Sequence, residues 1–532
     1  MSNYKLFKDP LYGYIKIPKN YIEDVIDTSE FQRLRRISQT SYAPLYSSAF
    51  HNRFVHSIGV YYLGVIASKQ LEAEISRLNL INNAELPRYT EVFNTACLLH
   101  DIGHAPFSHT GENFYIENND YTKLHEILAK KIGQSSFNEY IKNIDKKAAP
   151  HEIMSAIIGI DIFASLLNNS DEKEFFARCI TGYKYSNNSI ASQLKNCYIS
   201  LLNSKIIDVD KLDYLIRDAY ITGYETVKID YIRLLSALTI TKIDDHYKIV
   251  FKKSAISVIE NVIYAHDAEK KWIQSHPVVL YECYIIKHII KKLIDILGNN
   301  LLSISSLSKT GAILNNNEKV FLLSDDDIIH FLKTKCDDTF SKEYFERKAR
   351  RHPIWKSEAE YKAFLCSYVG PDSQIYSKLE NALKQTAIYL NRMSNLHAIN
   401  DETIANLKKD IQDLKNSQME SGKKSKILLE KNIILKIMEA LKEYANELGI
   451  ECDYVLLEAS QFSSSFRKPD FAKLCIMFEE ETFLFEKVVS SLSGKESINE
   501  DYFYLFYKRN DKDNKIKISS KELCEKLVKT VM

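Results

Sequence analysis

Apolar residues recur at three- and four-residue spacing along most of the chain, and only 15 Gly and 10 Pro interrupt its 532 residues, so helices are predicted to dominate. The stretch YTEVFNTACLLHDIG places Val92, Phe93, Ala96 and Leu99 on one helix face, which Gly103 and Pro106 then bend or end. Further on, SDDDIIHFLKT opens with Ser324, a good N-cap, followed by acids that suit the positive end of a helix dipole. That helix is expected to start a second helical section. Residues 401–448 are rich in Lys, Glu, Leu and Ile without Pro, and read as one or two long exposed helices joined at ESGKKS, an arm or an oligomer contact. From about residue 450 the texture changes to short β-rich runs, YVLLEA, AKLCIMF and YFYLFYKR. The pattern predicts a mainly α protein: a helical domain over residues 1–300, a helical region with long helices over 301–448, and a small strand-rich α/β module over 449–532.

Composition narrows the class. A chain that is 45% hydrophobic and 27% charged, with a formal charge of +1, is a globular protein without the global field that would argue for nucleic acid or a membrane surface. The nine cysteines form no CxxC pair, which argues against a structural zinc site or a disulfide framework. MSNYKLFKDP lacks the apolar core of a signal peptide, and no run approaches the ~20 apolar residues of a membrane span. A cytoplasmic protein is expected.

The chemistry concentrates in CLLHDIGHAPFSHTGE, residues 97–112. His100 and Asp101 offer an imidazole and a carboxylate from neighbouring helix positions, and His104 lies one turn beyond His100. Such a pair suits an octahedral ion with open positions, although alone it is more often a helix-end cap beside a solvated carboxylate. It is not alone: HNRFVHSIGV supplies His56, and IIDVDKLDYLIRDAY puts Asp208, Asp210, Asp213 and Asp218 at the end of an apolar run. Carboxylates entering a core require a cation or hydrogen bonds.

The order His56, His100–Asp101, Asp210 resembles the H…HD…D ligand pattern of the HD-domain phosphohydrolases. More narrowly, DPLYGYIKI, IDTSEFQRLRRISQ, HNRFVHSIGV, HDIGHAPFSHTGE and DVDKLDY occur in the order seen in the deoxynucleoside triphosphate triphosphohydrolases, the branch with bacterial dGTPases and the human SAM and HD domain protein. The similarity covers about residues 5–290. It implies an HD-domain core and hydrolysis of a dNTP to a deoxynucleoside and inorganic triphosphate. It also implies a divalent ion (magnesium, manganese or iron) held by His56, His100, Asp101 and Asp210. His104, His109 and Glu112 fall on the family's catalytic groups, with His109 as leaving-group acid and Glu112 as its orienter. Of two His-Glu pairs, PHEIMS matches better than LHEIL, so His151 is taken as the further catalytic histidine and His125 as a partly exposed helix histidine.

By the same resemblance, Arg53 and Lys211 would meet the triphosphate, and Gln39, Tyr214, Asp218 and Tyr281 the sugar or base; for Tyr214 and Tyr281, ordinary core packing is the competing reading. Thr40, Ser41 and Tyr42 stand where the family has a Gly-rich loop, so no base preference is implied. Lys5, Asp27, Gln32 and Arg35 fall where some members bind an activating nucleotide between subunits, although FQRLRRI is also an ordinary amphipathic helix with exposed cations. RKARRHPIWK, with Arg350, Arg351 and Lys356, reads as a solvated charged face. The implied assembly is a homo-oligomer, a dimer or tetramer. The alternatives are another HD phosphohydrolase, a nucleotidase or phosphodiesterase, or a nucleotide-sensing module with little turnover. Housekeeping of nucleotide pools and antiviral depletion of dNTPs fit the residues equally.

Overall fold

The computed structural model describes residues 3–81, 85–119, 121–133, 137, 148–224, 227–357, 359–363, 374–392, 398–417, 421–448, 454–459, 474–488, 502–507 and 518–532. The chain is mainly helical, with small sheets. It divides into two compact units that do not follow the order of the sequence. One comprises Met1–Lys270, Ile289–Cys336 and Ser464–Lys495; the other comprises Lys271–His288, Asp337–Ser463 and Glu496–Met532.

The first unit opens with an antiparallel hairpin, β1 (Tyr4–Asp9) and β2 (Gly13–Pro18). Its core is built from α1 (Arg53–Leu78), α2 (Leu86–Leu99), α3 (His109–Asn119), α4 (Pro150–Ile162), α5 (Ser170–Thr181), α6 (Ile190–Leu202) and α7 (Val209–Thr222). α1 packs on α2 and α7, and α5 on α2 and α4. Local chemistry sets the ends: the Asn52 side chain caps α1 at Val55 N, and Asp208 caps α7 at Lys211 N before Gly223 ends it in the left-handed region (φ 70°). The α1–α7 contact requires glycine at position 59, where a Cβ would lie 1.9 Å from Asp213 Oδ1. Behind the helices, β3 (Leu238–Ile243) and β4 (His246–Lys252) form a hairpin, and the later strand Cys475–Phe478 pairs in parallel with β4. A further helix, α8 (Asp325–Lys335), starts at Ser324, whose N–H and hydroxyl both donate to Asp327.

The second unit packs helices Gln374–Arg392, Asp401–Asn416, Ser421–Glu447 and Ser520–Val531 with a sheet in which Tyr502–Tyr507 lies between His352–Pro353 and Tyr454–Ala459. The expected exposed arm is therefore corrected. Its two helices pair and bury Ile404, Leu407, Ile411, Ile437, Met438 and Leu441, because each carries an apolar stripe at helical spacing that exceeds what solvent tolerates. Strands predicted to form one C-terminal module contribute to both units, Cys475–Phe478 and Glu481–Leu484 to the first and Tyr454–Ala459 and Tyr502–Tyr507 to the second. No described helix is long and apolar enough to cross a membrane.

Candidate metal and phosphate site

α1, the end of α2 and the start of α7 bring together the polar groups of the first unit. His56 is fully buried on α1. Its Nε2 lies 3.3 Å from His100 Nε2, 2.9 Å from Asp210 Oδ1 and 3.6 Å from Asp101 Oδ2. His100 Nε2 is 3.4 Å from Asp101 Oδ1 and 3.6 Å from Asp210 Oδ1. Ligands bonded at ~2.1 Å around one ion sit roughly 3 Å apart, so this spacing fits a shared ion.

The tautomers agree. His100 Nδ1 donates to Cys97 O (2.9 Å) and His56 Nδ1 to Asp213 Oδ2 (2.8 Å), which turns both Nε2 lone pairs inward. The pocket also demands positive charge: although burial opposes it, Asp210 and Asp213 raise the His56 pKa to about 10. Burial likewise opposes the Asp101 charge, yet Arg53 and His100 hold that carboxyl well below its usual range. A divalent cation fits His56, His100 and Asp101, whose ligand atoms lie within 4.8 Å of one another, with Asp210 Oδ1 beside both imidazoles.

The second cluster is organised by Glu112. Its Oε1 lies 2.9 Å from both His104 Nδ1 and His109 Nδ1, and its Oε2 accepts from His151 Nδ1 at 2.9 Å. The His104 contacts to Glu112 and to Asp101 (3.1 Å), and the His109 contact to Glu112, are close polar approaches rather than aligned hydrogen bonds. Burial, with Arg53 adding to it, lowers the His104 pKa to about 4, so this imidazole is neutral. Burial opposes the charge on His151, but Glu112 outweighs it and raises the pKa to about 9. His104 and His151 stack at 4.2 Å between centroids, while the His109 side chain is 68% exposed.

The segment between the clusters is clamped. Phe107 and Ser108 take left-handed φ values of 58° and 52°, which only surrounding bonds can hold. Gly103 N donates to Ser155 Oγ (2.9 Å), and Tyr115 OH donates to Gly103 O (2.7 Å). A Cβ at Gly103 would lie 2.3 Å from Ser155 N. Arg33 donates to Ile102 O and His104 O. Asp325, at the start of α8, accepts from Phe107 N (2.7 Å) and Ser38 N (2.8 Å).

The other residues of the sequence reading fall in several places. Arg53 Nη1 reaches Asp101 Oδ2 (2.7 Å), Nε donates to Ser108 Oγ (2.8 Å) and Nη2 to Gln39 O (3.3 Å). Gln39 Oε1 is buried without a hydrogen bond. Lys211 Nζ donates to Ser204 O (2.6 Å) and Asp208 Oδ2 (2.5 Å). Asp218 meets His51 Nε2 at 2.7 Å, and Tyr214 is half-buried on α7. Tyr281 belongs to the second unit, where its hydroxyl bonds Glu343 and accepts from Arg351 Nη1 (3.0 Å). Arg351 is thus buried against Glu343, not part of a solvated face. His125 is also buried rather than partly exposed, and meets Tyr183 OH at 2.8 Å. Among the tentative regulatory residues, Arg35 Nε donates to Gln32 Oε1 (2.9 Å) and covers the Phe54 ring at 3.5 Å, whereas Lys5 and Asp27 are exposed.

The sequence reading gave no role to Asp213, although its place in the apolar run marked it as a carboxylate in need of partners. Asp213 orients His56 and is itself held by Arg217 (2.8 and 2.9 Å) and Tyr12 OH (2.8 Å), with Arg217 also on Asp9 (3.0 Å). His51, Ser155 and Asp325 lie in the blocks HNRFVHSIGV, PHEIMS and SDDDIIHFLKT, but nothing local marks their partners.

The HD domain family matches residues 53–178, which carry His56, His100, Asp101, His104, His109, Glu112 and His151 but end before Asp210 and Asp213 on α7. The chain contains an HD domain. Relatives of the HD chain include the uncharacterized protein YwfO of Bacillus subtilis, 30% identical over 281 residues, 52% of this chain and 53% of that protein. The deoxynucleoside triphosphate triphosphohydrolase SAMHD1 homolog of Dictyostelium discoideum is 30% identical over 52% of this chain and 46% of its own. Mouse SAMHD1 is 28% identical over 48% and 37%. The chain thus spans about half the length of the curated relatives it matches. In fold it is similar to a hypothetical protein from Aquifex aeolicus, with a TM-score of 0.53 and 18% identity over 99% of this chain and 100% of that one.

Proposed function

We propose that the HD chain hydrolyses dNTPs to a deoxynucleoside and inorganic triphosphate. The observation that carries the reading is the Glu112 hub: a carboxylate hydrogen-bonded to His151 and within 2.9 Å of His104 and His109, beside the cluster of His56, His100 and Asp101. Relatives named as dNTP triphosphohydrolases support the substrate class.

His56, His100, Asp101 and Asp210 would hold a divalent ion, which would supply Lewis-acid polarisation of a phosphoryl oxygen. The chain's own groups do the rest. Water oxygen bonds to the α-phosphorus, its proton passing to solvent, while the bond from that phosphorus to the bridging sugar oxygen breaks. His109, accessible and 2.9 Å from Glu112 Oε1, gives its proton to the departing oxygen. His151, kept cationic by Glu112, and Arg53 oppose the charge of the triphosphate. Lys211, Gln39, Tyr214 and Asp218 would bind substrate, which requires Lys211 to leave Ser204 and Asp218 to leave or share His51. In the same reading an activating nucleotide meets Lys5, Asp27, Gln32 and Arg35 in a homo-oligomer.

Incubating the pure protein with each dNTP and magnesium or manganese, with and without every other nucleotide, tests this. Triphosphate release is expected. Release of pyrophosphate or monophosphate alone would point instead to another HD phosphohydrolase.

A further inference from the structure

The first unit contains a cleft of about 830 Å³ on the side of α4 that carries Glu152, the neighbour of His151. Its volume is in the range that holds a nucleotide-sized ligand. Leu201, Ile207, Phe251 and Leu474 line it, together with the rings of Tyr183 and Tyr247. Lys184, Lys205 and Lys248 also line it, and all three are accessible to solvent.

Among the described lining groups the lysines outnumber the carboxylates. Glu152 is the acidic residue among the described lining groups, and its carboxylate is engaged: Oε2 accepts from Ala149 N (2.6 Å) and Oε1 from Asn203 Nδ2 (2.7 Å). Burial raises its pKa against the opposing charge of His151. Lys248 has only an exposed contact at 3.5 Å to Asp244. Crowding by protein atoms, and then the charge of Lys248, hold the Lys184 ammonium below the usual lysine range. Two cations that repel one another, with a third on the same lining, are stabilised by a multivalent anion. The apolar and tyrosine-lined wall suits a flat, weakly polar ring system on that anion.

We propose that this cleft binds a nucleoside polyphosphate, its phosphates on Lys184, Lys205 and Lys248 and its base on the apolar wall. This site is separate from the HD ligand set and from the tentative regulatory residues, and it does not depend on the hydrolytic reading. It adjoins groups that reading uses: Asn203, which holds Glu152, and Ser204, whose carbonyl accepts from Lys211 Nζ, both line it.

The test is equilibrium binding of ATP to the full chain in chelator, where turnover is suppressed. Saturable binding is expected, weakened roughly tenfold or more by the double variant Lys184→Glu, Lys248→Glu and unchanged in Asp210→Ala. Both substitutions lie at accessible side chains, and a retained melting temperature confirms folding. Binding unaffected by the double variant, or no saturable binding, would overturn the proposal. Inorganic triphosphate is expected to compete more weakly than ATP; equal competition would overturn the assignment of a nucleoside.

Discussion

At the scale of single residues, two of the histidines around Glu112 differ in charge. Glu112 makes His151 cationic, while burial leaves His104 neutral. Since the folded pKa of His151 is raised from 6.5 to about 9, the pair's stabilisation is full below pH 6.5 and is lost as pH rises through 9. If the His151 charge serves catalysis, activity falls over the same alkaline window. Glu112→Gln is expected to move that alkaline limb to lower pH and to reduce turnover roughly a hundredfold, measured as a pH–rate profile; an unmoved limb would show that His151 does not set it. The HD and Glu112 residues were legible in the sequence because they crowd into one short block of unusual polarity. Asp213 was only half legible. Its pairing with His56 spans 157 residues, and no local period encodes such a distance, so only its intrusion into an apolar run was visible.

At the scale of elements, the site depends on how closely helices approach and how the loop after α2 is held. A methyl group at position 59 would collide with Asp213 Oδ1 and, at 2.5 Å, with Arg217 Nη2. Gly59→Ala is therefore expected to cost about 1–3 kcal/mol or more and to weaken manganese binding, since Asp213 orients His56; calorimetry and metal titration read the two effects. Asp325→Ala leaves two backbone N–H groups, those of Phe107 and Ser38, without their acceptor, at about 1–3 kcal/mol each. It is expected to lower turnover more than it raises KM, because the loop it holds carries Ser108, the partner of Arg53. Helix end signals were readable at Gly103, Pro106 and Ser324, whose requirements are local. The clamp was not, since the Asp325 bond to Phe107 spans 218 residues.

At the scale of the whole molecule, the two units interleave along the chain, which sequence texture could not announce. A strand-rich run declares its period but not its partner, so Cys475–Phe478 joins β4 while Tyr502–Tyr507 joins a different sheet. Metal binding is expected to couple to stability here, because the HD ligands come from three separate segments of the first unit. Added manganese should raise the melting temperature in a concentration-dependent way, and Asp210→Ala should remove most of that response. The central claim concerns which bond breaks, and product analysis in water enriched in heavy oxygen addresses it directly. With a dNTP and manganese, the label is expected in inorganic triphosphate and not in the deoxynucleoside, with both products formed in equal amounts. Pyrophosphate with a labelled monophosphate, or label in the deoxynucleoside, would contradict attack at the α-phosphorus with loss of the sugar oxygen.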